Sequence, residues 1–66
     1  GRLIMDVLIK ELRKRWVALQ EVMEYTGLDC NRAWRLIDNL TKKYPLGEIK
    51  KFNISWFKIM NKKDYE

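Results

Sequence analysis

Val17-Ala18-Leu19-Gln20-Glu21-Val22-Met23-Glu24-Tyr25-Thr26-Gly27-Leu28-Asp29 is the stretch that decides how this chain folds. Leu19, Val22 and Met23 recur at i, i+3 and i+4, the spacing of one face of a helix. Glu21 falls in the first turn, where negative charge meets the positive end of the helix dipole. A helix over about 19–26 follows. Gly27 ends it, because glycine enters the left-handed conformation without a Cβ clash. Leu28 then turns inward, and Asp29 stands where a side-chain oxygen can cap the first amides of another helix. Thr26-Gly27-Leu28-Asp29 therefore reads as a tight helix-to-helix connection rather than a loop.

Upstream, Ile4, Leu8 and Leu12 repeat at four-residue spacing with Met5, Ile9 and Trp16 beside them, so a helix is expected over about 3–15. Leu3 and Val7 widen its apolar arc beyond the roughly 100° stripe that a surface helix needs. Such a helix is either clasped on several sides or meets a partner on one flank. Arg13, Lys14 and Arg15 suit the negative end of its dipole, and Trp16-Val17 is expected to form a short extended piece. Downstream, a third helix is expected over about 30–44. Ala33, Leu36, Ile37, Leu40 and Tyr44 fall on one arc; Asn31, Arg35, Asp38 and Lys42 fall on the opposite arc, flanked by Arg32 and Asn39. Pro45 stops it, since the residue before proline avoids the helical region. The period then changes. Phe57 and Ile59 alternate with Trp56, Lys58 and Met60, while Leu46, Ile49 and Phe52 lie among Glu48, Lys50 and Lys51. With Asn53 marking the turn, this is a hairpin over about 47–60. The expected fold is α+β and mostly α: three helices, then a β-hairpin.

Composition narrows the function classes. Sixty-six residues leave room for one domain, expected to span 1–66, and a chain this short buries only about 60% of its unfolded surface. There is no His, the usual general base and the commonest metal ligand. The single Cys can form neither an internal disulfide nor a CxxC zinc pair. No paired carboxylates, Gly-rich phosphate loop or metal-ligand cluster stands out, so neither a catalytic residue nor a cofactor or metal is expected, and no small-molecule substrate. No apolar run approaches the length needed to cross a bilayer, no signal-peptide pattern opens the chain, and a cytoplasmic location (nucleoid-associated, or nuclear in a eukaryote) is the simplest expectation. Gly1 in place of Met suggests a cleaved tag or an excised domain.

The net charge of +5 is uneven. Residues 1–28 carry five basic and four acidic side chains; residues 29–63 carry nine basic and three acidic ones, a net +6. That asymmetry suggests a polyanion-facing side.

Two helices joined by a turn containing Gly make a helix-turn-helix. The stretch from Val17 to Asp29 resembles the helix-turn-helix half of a winged-helix domain: an extended residue, a short helix, then a Gly-Leu-Ser/Asp turn. The helix that follows, with Ala33, Ile37 and Leu40 inward and a basic polar outer face, resembles that family's recognition helix. Phe57-Lys58-Ile59 is similar to the last strand of its wing. Two features depart from the pattern. The wing is short with no glycine at its tip, and the third helix carries Asp38 and Trp34 where small polar residues are more usual.

The resemblance implies double-stranded DNA binding, by a transcription regulator or a DNA-binding module of a larger replication or repair protein. The second helix of a helix-turn-helix lies in the major groove with its N-terminal and outward residues toward base edges. Here those are Asn31, Arg35 and Arg32. Arg matches guanine bidentately and Asn matches adenine, through donor and acceptor spacing. Lys42 and Lys43 would lie near a phosphate strand, and the wing would bring Lys50, Lys51, Asn53 and Lys58 against backbone or minor groove. Asp38 either accepts from cytosine or pairs with Arg35 or Lys42 at helical spacing, and the pairing is favoured. Trp34 is expected to pack, and Cys30 to be a small helix-start residue. The alternative is a winged helix used as a protein-interaction module. Leu3, Met5, Val7, Ile9, Trp34 and Trp56 exceed what so small a core needs, which suggests a homodimer or protein partner through helix 1 and the exposed Trp residues.

Overall fold

The computed structural model describes residues 2–60, with side chains from Met5 onward. In order they form α1 (Arg2–Lys14), β1 (Val17–Ala18), α2 (Leu19–Thr26), α3 (Cys30–Lys43), β2 (Leu46–Lys51) and β3 (Ile54–Ile59). The sheet is antiparallel, in the order β1-β3-β2. This is a winged-helix-like α+β layout: three helices with a terminal hairpin that recruits a two-residue strand from the segment before α2. The short strand sits one residue later than the expected Trp16-Val17. Ile4 and Leu3, expected on the α1 arc, have side chains outside the described residues.

Each connection has a local cause. Gly27 adopts φ 71°, and its amide donates to the Met23 carbonyl at 2.8 Å. The Thr26 hydroxyl donates to Val22 O at 2.7 Å and accepts from the Leu28 amide at 3.3 Å, tightening the same turn. Asp29 caps α3 as expected, its Oδ1 accepting from the Arg32 amide at 2.8 Å. At the start of α2 the cap residue is Ala18, which has no side-chain acceptor. Glu21 supplies the missing half by reaching back to accept from the Ala18 amide at 3.1 Å.

Glu21 is in turn gripped by Arg15. The guanidinium donates Nη2 to Oε1 at 2.8 Å and Nη1 to Oε2 at 3.1 Å, a two-pronged contact, while Nε donates to Glu11 at 3.0 Å. This grip holds the Glu21 carboxyl below its ordinary value of 4.5, against a smaller opposing effect of burial. The basic end of α1 thus does more than complement the helix dipole. Arg15 ties α1 to α2, and Arg13 lies over the Tyr44 ring with its guanidinium carbon 5.3 Å from the centroid.

The core takes Leu8 and Leu12 from α1, Val17 from β1, Val22 from α2, Ala33, Ile37 and Leu40 from α3, and Phe57 and Ile59 from β3. Phe57 is fully buried at its centre, and Trp34 meets it edge-on with ring centroids 5.4 Å apart at 83°. Trp34 therefore packs, as its position on the flank of α3 suggests. Met5 and Ile9 also pack against the core, which leaves Val7 as the exposed large apolar side chain of α1 among the described residues. The sequence assigned more of that arc to a partner than the structure leaves over.

Strand pairing sets the hairpin faces. Leu46 opposes Ile59, Glu48 opposes Phe57 and Lys50 opposes Ser55, all on the side of the buried Phe57 and Ile59. Gly47, Ile49 and Lys51 oppose Lys58, Trp56 and Ile54 on the outer side. A Cβ on Gly47 would come within 2.9 Å of Met60 Sδ and 3.4 Å of the Trp16 ring, so glycine is what lets these side chains close over the outer face.

Candidate nucleic-acid interface

The hairpin extends through six paired positions and turns through two residues, Phe52 and Asn53. Both adopt positive φ, 56° and 60°, which is the primed turn that matches the twist of paired strands. Asn is at ease there. Phe is not, because its Cβ crowds the following carbonyl oxygen at a cost of about 1–2 kcal/mol. The ring returns little of that, since Phe52 is 83% exposed. Its sequence position among Leu46 and Ile49 suggests an apolar face, but only Leu46 packs against the core. Ile49 is exposed and Phe52 stands at the tip. The six-residue strands leave two residues for the turn, a geometry visible only once the register is known.

The α3 helix runs from the tip end of the hairpin toward its base, and β2 runs back. The start of α3 therefore neighbours the wing tip. Cys30 lines one open groove of about 560 Å³ with Lys50, Asn53, Ile54 and Ser55 of the hairpin and Leu19, Gln20 and Met23 of α2. Asn31, next to Cys30, and Arg32 and Arg35 are exposed on α3 from this end onward. Lys42 and Lys43 are exposed too, but they lie at the other end of the helix, roughly 16 Å along its axis from Asn31. Lys51 is exposed on the outer side of the tip, opposite in direction to Lys50. Lys58 is half-buried opposite Gly47, roughly 13 Å from the tip along the strand. The structure thus brings Lys50 and Asn53 around one groove with Cys30, carries Asn31, Arg32 and Arg35 along the exposed face of the adjoining helix, and sets Lys42, Lys43 and Lys58 apart from them.

Arg15 differs electrostatically from the cations of α3 and the hairpin tip. Arg15 is paired twice on the α1–α2 side. Arg32, Arg35, Lys42, Lys43, Lys50 and Lys51 make no ion pair among the described residues. The expected pairing of Asp38 with Arg35 or Lys42 is not made. The Asp38 carbonyl instead accepts from the Thr41 hydroxyl at 2.6 Å, and its carboxylate is left in solvent, where a helix-surface pair contributes only a few tenths of a kcal/mol. Trp56, expected outward, is half-buried on the outer sheet face. Its indole Nε1 donates to the Lys51 carbonyl at 3.3 Å and braces the strand just before the tip. Cys30 is exposed and unpaired at the helix start. Among the described residues no group of three or more His, Cys, Asp or Glu side chains converges as a metal site. No described helix is long and apolar enough to cross a membrane.

Compared with family models, with curated proteins and with solved structures, the chain has no significant match.

Proposed function

We propose that this chain binds double-stranded DNA, with the exposed face of α3 in the major groove and the basic wing against the neighbouring backbone. The observation that carries the reading is the set of cations on α3 and at the wing tip that make no ion pair among the described residues, on two elements that meet at one groove. Asn31, Arg32 and Arg35 are the base-edge readers in this account, while Lys42, Lys43, Lys50, Lys51 and Lys58, with Asn53, hold phosphates. The protein acts as a transcription regulator, or as the DNA-binding module of a longer replication or repair protein, rather than as an enzyme. Titration with a random-sequence duplex at two salt concentrations tests this. Neutralising about four to six phosphates should weaken binding by about a hundred- to a thousand-fold for a fourfold rise in salt. No binding at low salt would overturn the reading.

A second reading has narrower support. Val7 is 45% exposed on α1, in a shallow depression shared with Ile9, Tyr44, Asp6 and Lys10. A homodimer or protein contact through this face would appear as concentration-dependent sedimentation, abolished by Val7→Glu. A monomer at high concentration would remove the homodimer.

A further inference from the structure

We propose that Phe52 is a wedge: the wing tip enters the minor groove of bound duplex and inserts the phenyl ring at a base step, partly unstacking it. The inference rests on the DNA reading above and deepens it by assigning the tip a role distinct from charge.

Three observations converge on this residue. Phe52 holds a left-handed backbone conformation that disfavours a side chain of its kind, at φ 56°. Its ring is 83% exposed, so the folded chain gains almost nothing from it. It directly follows Lys50 and Lys51, which point to opposite sides of the hairpin and make no ion pair among the described residues. Strain and exposure at the same residue are a cost that the fold itself does not recover, which is the pattern of a residue placed for a ligand. These charges select the ligand. An apolar side chain at the tip, with a lysine behind it on each face of the hairpin, fits a polyanion whose interior is apolar, with each lysine reaching a phosphate strand. Apolar side chains that enter the minor groove act in this way, separating stacked bases and bending the duplex. Ile49 and Ile54, both about two-fifths exposed on the outer side of the hairpin near the tip, would meet the sugar walls. Trp56, bonded to the Lys51 carbonyl, stiffens the strand behind the tip. An anionic lipid surface shares part of this chemistry, but one phenyl and two half-covered isoleucines offer little apolar area for holding a bilayer. The tip also shares its groove with the start of α3, so a ligand held there would span both elements.

The test uses the full chain and a short A·T-rich duplex with 2-aminopurine placed at successive steps, whose fluorescence rises when stacking is lost. The parent protein should bind and brighten the probe. Phe52→Asn should fold at least as stably, still bind through its lysines, and lose the brightening; Phe52→Leu should keep part of it. Duplex binding by the parent without brightening at any step, or equal brightening by Phe52→Asn, overturns the wedge and leaves the DNA reading intact. Absence of duplex binding at low salt overturns both. Binding to vesicles with a high fraction of anionic lipid, lost in Phe52→Asn, together with a dark duplex, reassigns the tip to membranes and also overturns the proposal.

Discussion

Phe52 and Asn53 occupy equivalent backbone conformations with unequal ease, and that difference can be measured. Replacing Phe52 by Asn should raise stability by about 1 kcal/mol, read as an increase in the urea midpoint with an unchanged slope, because Asn tolerates positive φ. Gly27 lies in the same region of backbone space at φ 71° with open space around its Cβ position, so Gly27→Ala should cost about 1 kcal/mol from backbone strain alone. Glu21 makes a different prediction. Its carboxyl is held below 4.5 by Arg15, so the folded state binds that proton less readily than the unfolded state. The stabilisation is complete above about pH 4.5 and disappears as pH falls through the lower folded value. Glu21→Gln should therefore lower stability by about 1 kcal/mol at neutral pH, from the weakened cap and lost ion pair, and should flatten the acid limb of a stability–pH profile. A profile that keeps its acid slope in Glu21→Gln would assign the slope to other carboxylates.

Elements show where the sequence is legible and where it is not. The α2–turn–α3 unit follows from short-range chemistry: the Leu19, Val22, Met23 spacing, a glycine that must turn, and an aspartate that must cap. All of it is present in the structure. The hairpin is legible as a change of period, and the burial of Phe57 and Ile59 follows from alternation. What alternation cannot supply is the exact pairing. Without the register, Phe52 is one more apolar residue in a strand, and which of Lys50 and Lys51 shares the face of Phe57 is undetermined. The fate of Arg15 was hidden for a related reason, since its partner Glu21 lies in the next helix and only the packing of α1 on α2 brings them together. Asp38 errs the other way. Helical spacing permits an ion pair that solvent makes too weak to hold. For the interface elements, Lys50→Ala and Lys51→Ala should each weaken duplex binding uniformly across sequences and reduce the salt slope by about 1, whereas Arg35→Ala should cost about 1–3 kcal/mol at particular base pairs and relax discrimination there. Competition binding against a randomised duplex pool separates the two behaviours.

At the scale of the molecule, a cluster of nine buried residues among those described, drawn from α1, α2, α3, β1 and β3, holds the helices and the sheet together. Phe57→Ala should cost about 3–5 kcal/mol and leave most molecules unfolded, because the total stability of a domain this small is of similar size. Charge differs across the molecule: Arg15 is paired where α1 meets α2, whereas Arg32, Arg35, Lys50 and Lys51 make no ion pair among the described residues. Cys30, exposed on the groove between α3 and the hairpin, is a natural reporter, and bound duplex should slow its alkylation severalfold, with the same protection in a Lys50→Ala/Lys51→Ala variant needing a higher duplex concentration. The α3 face and the wing should act as one surface, and amide shifts on adding duplex test that most directly. Changes concentrated in residues 30–43 and 50–58, falling away together as salt rises, are the predicted result. Shifts centred on α1 around Val7, or none at low salt, would contradict it.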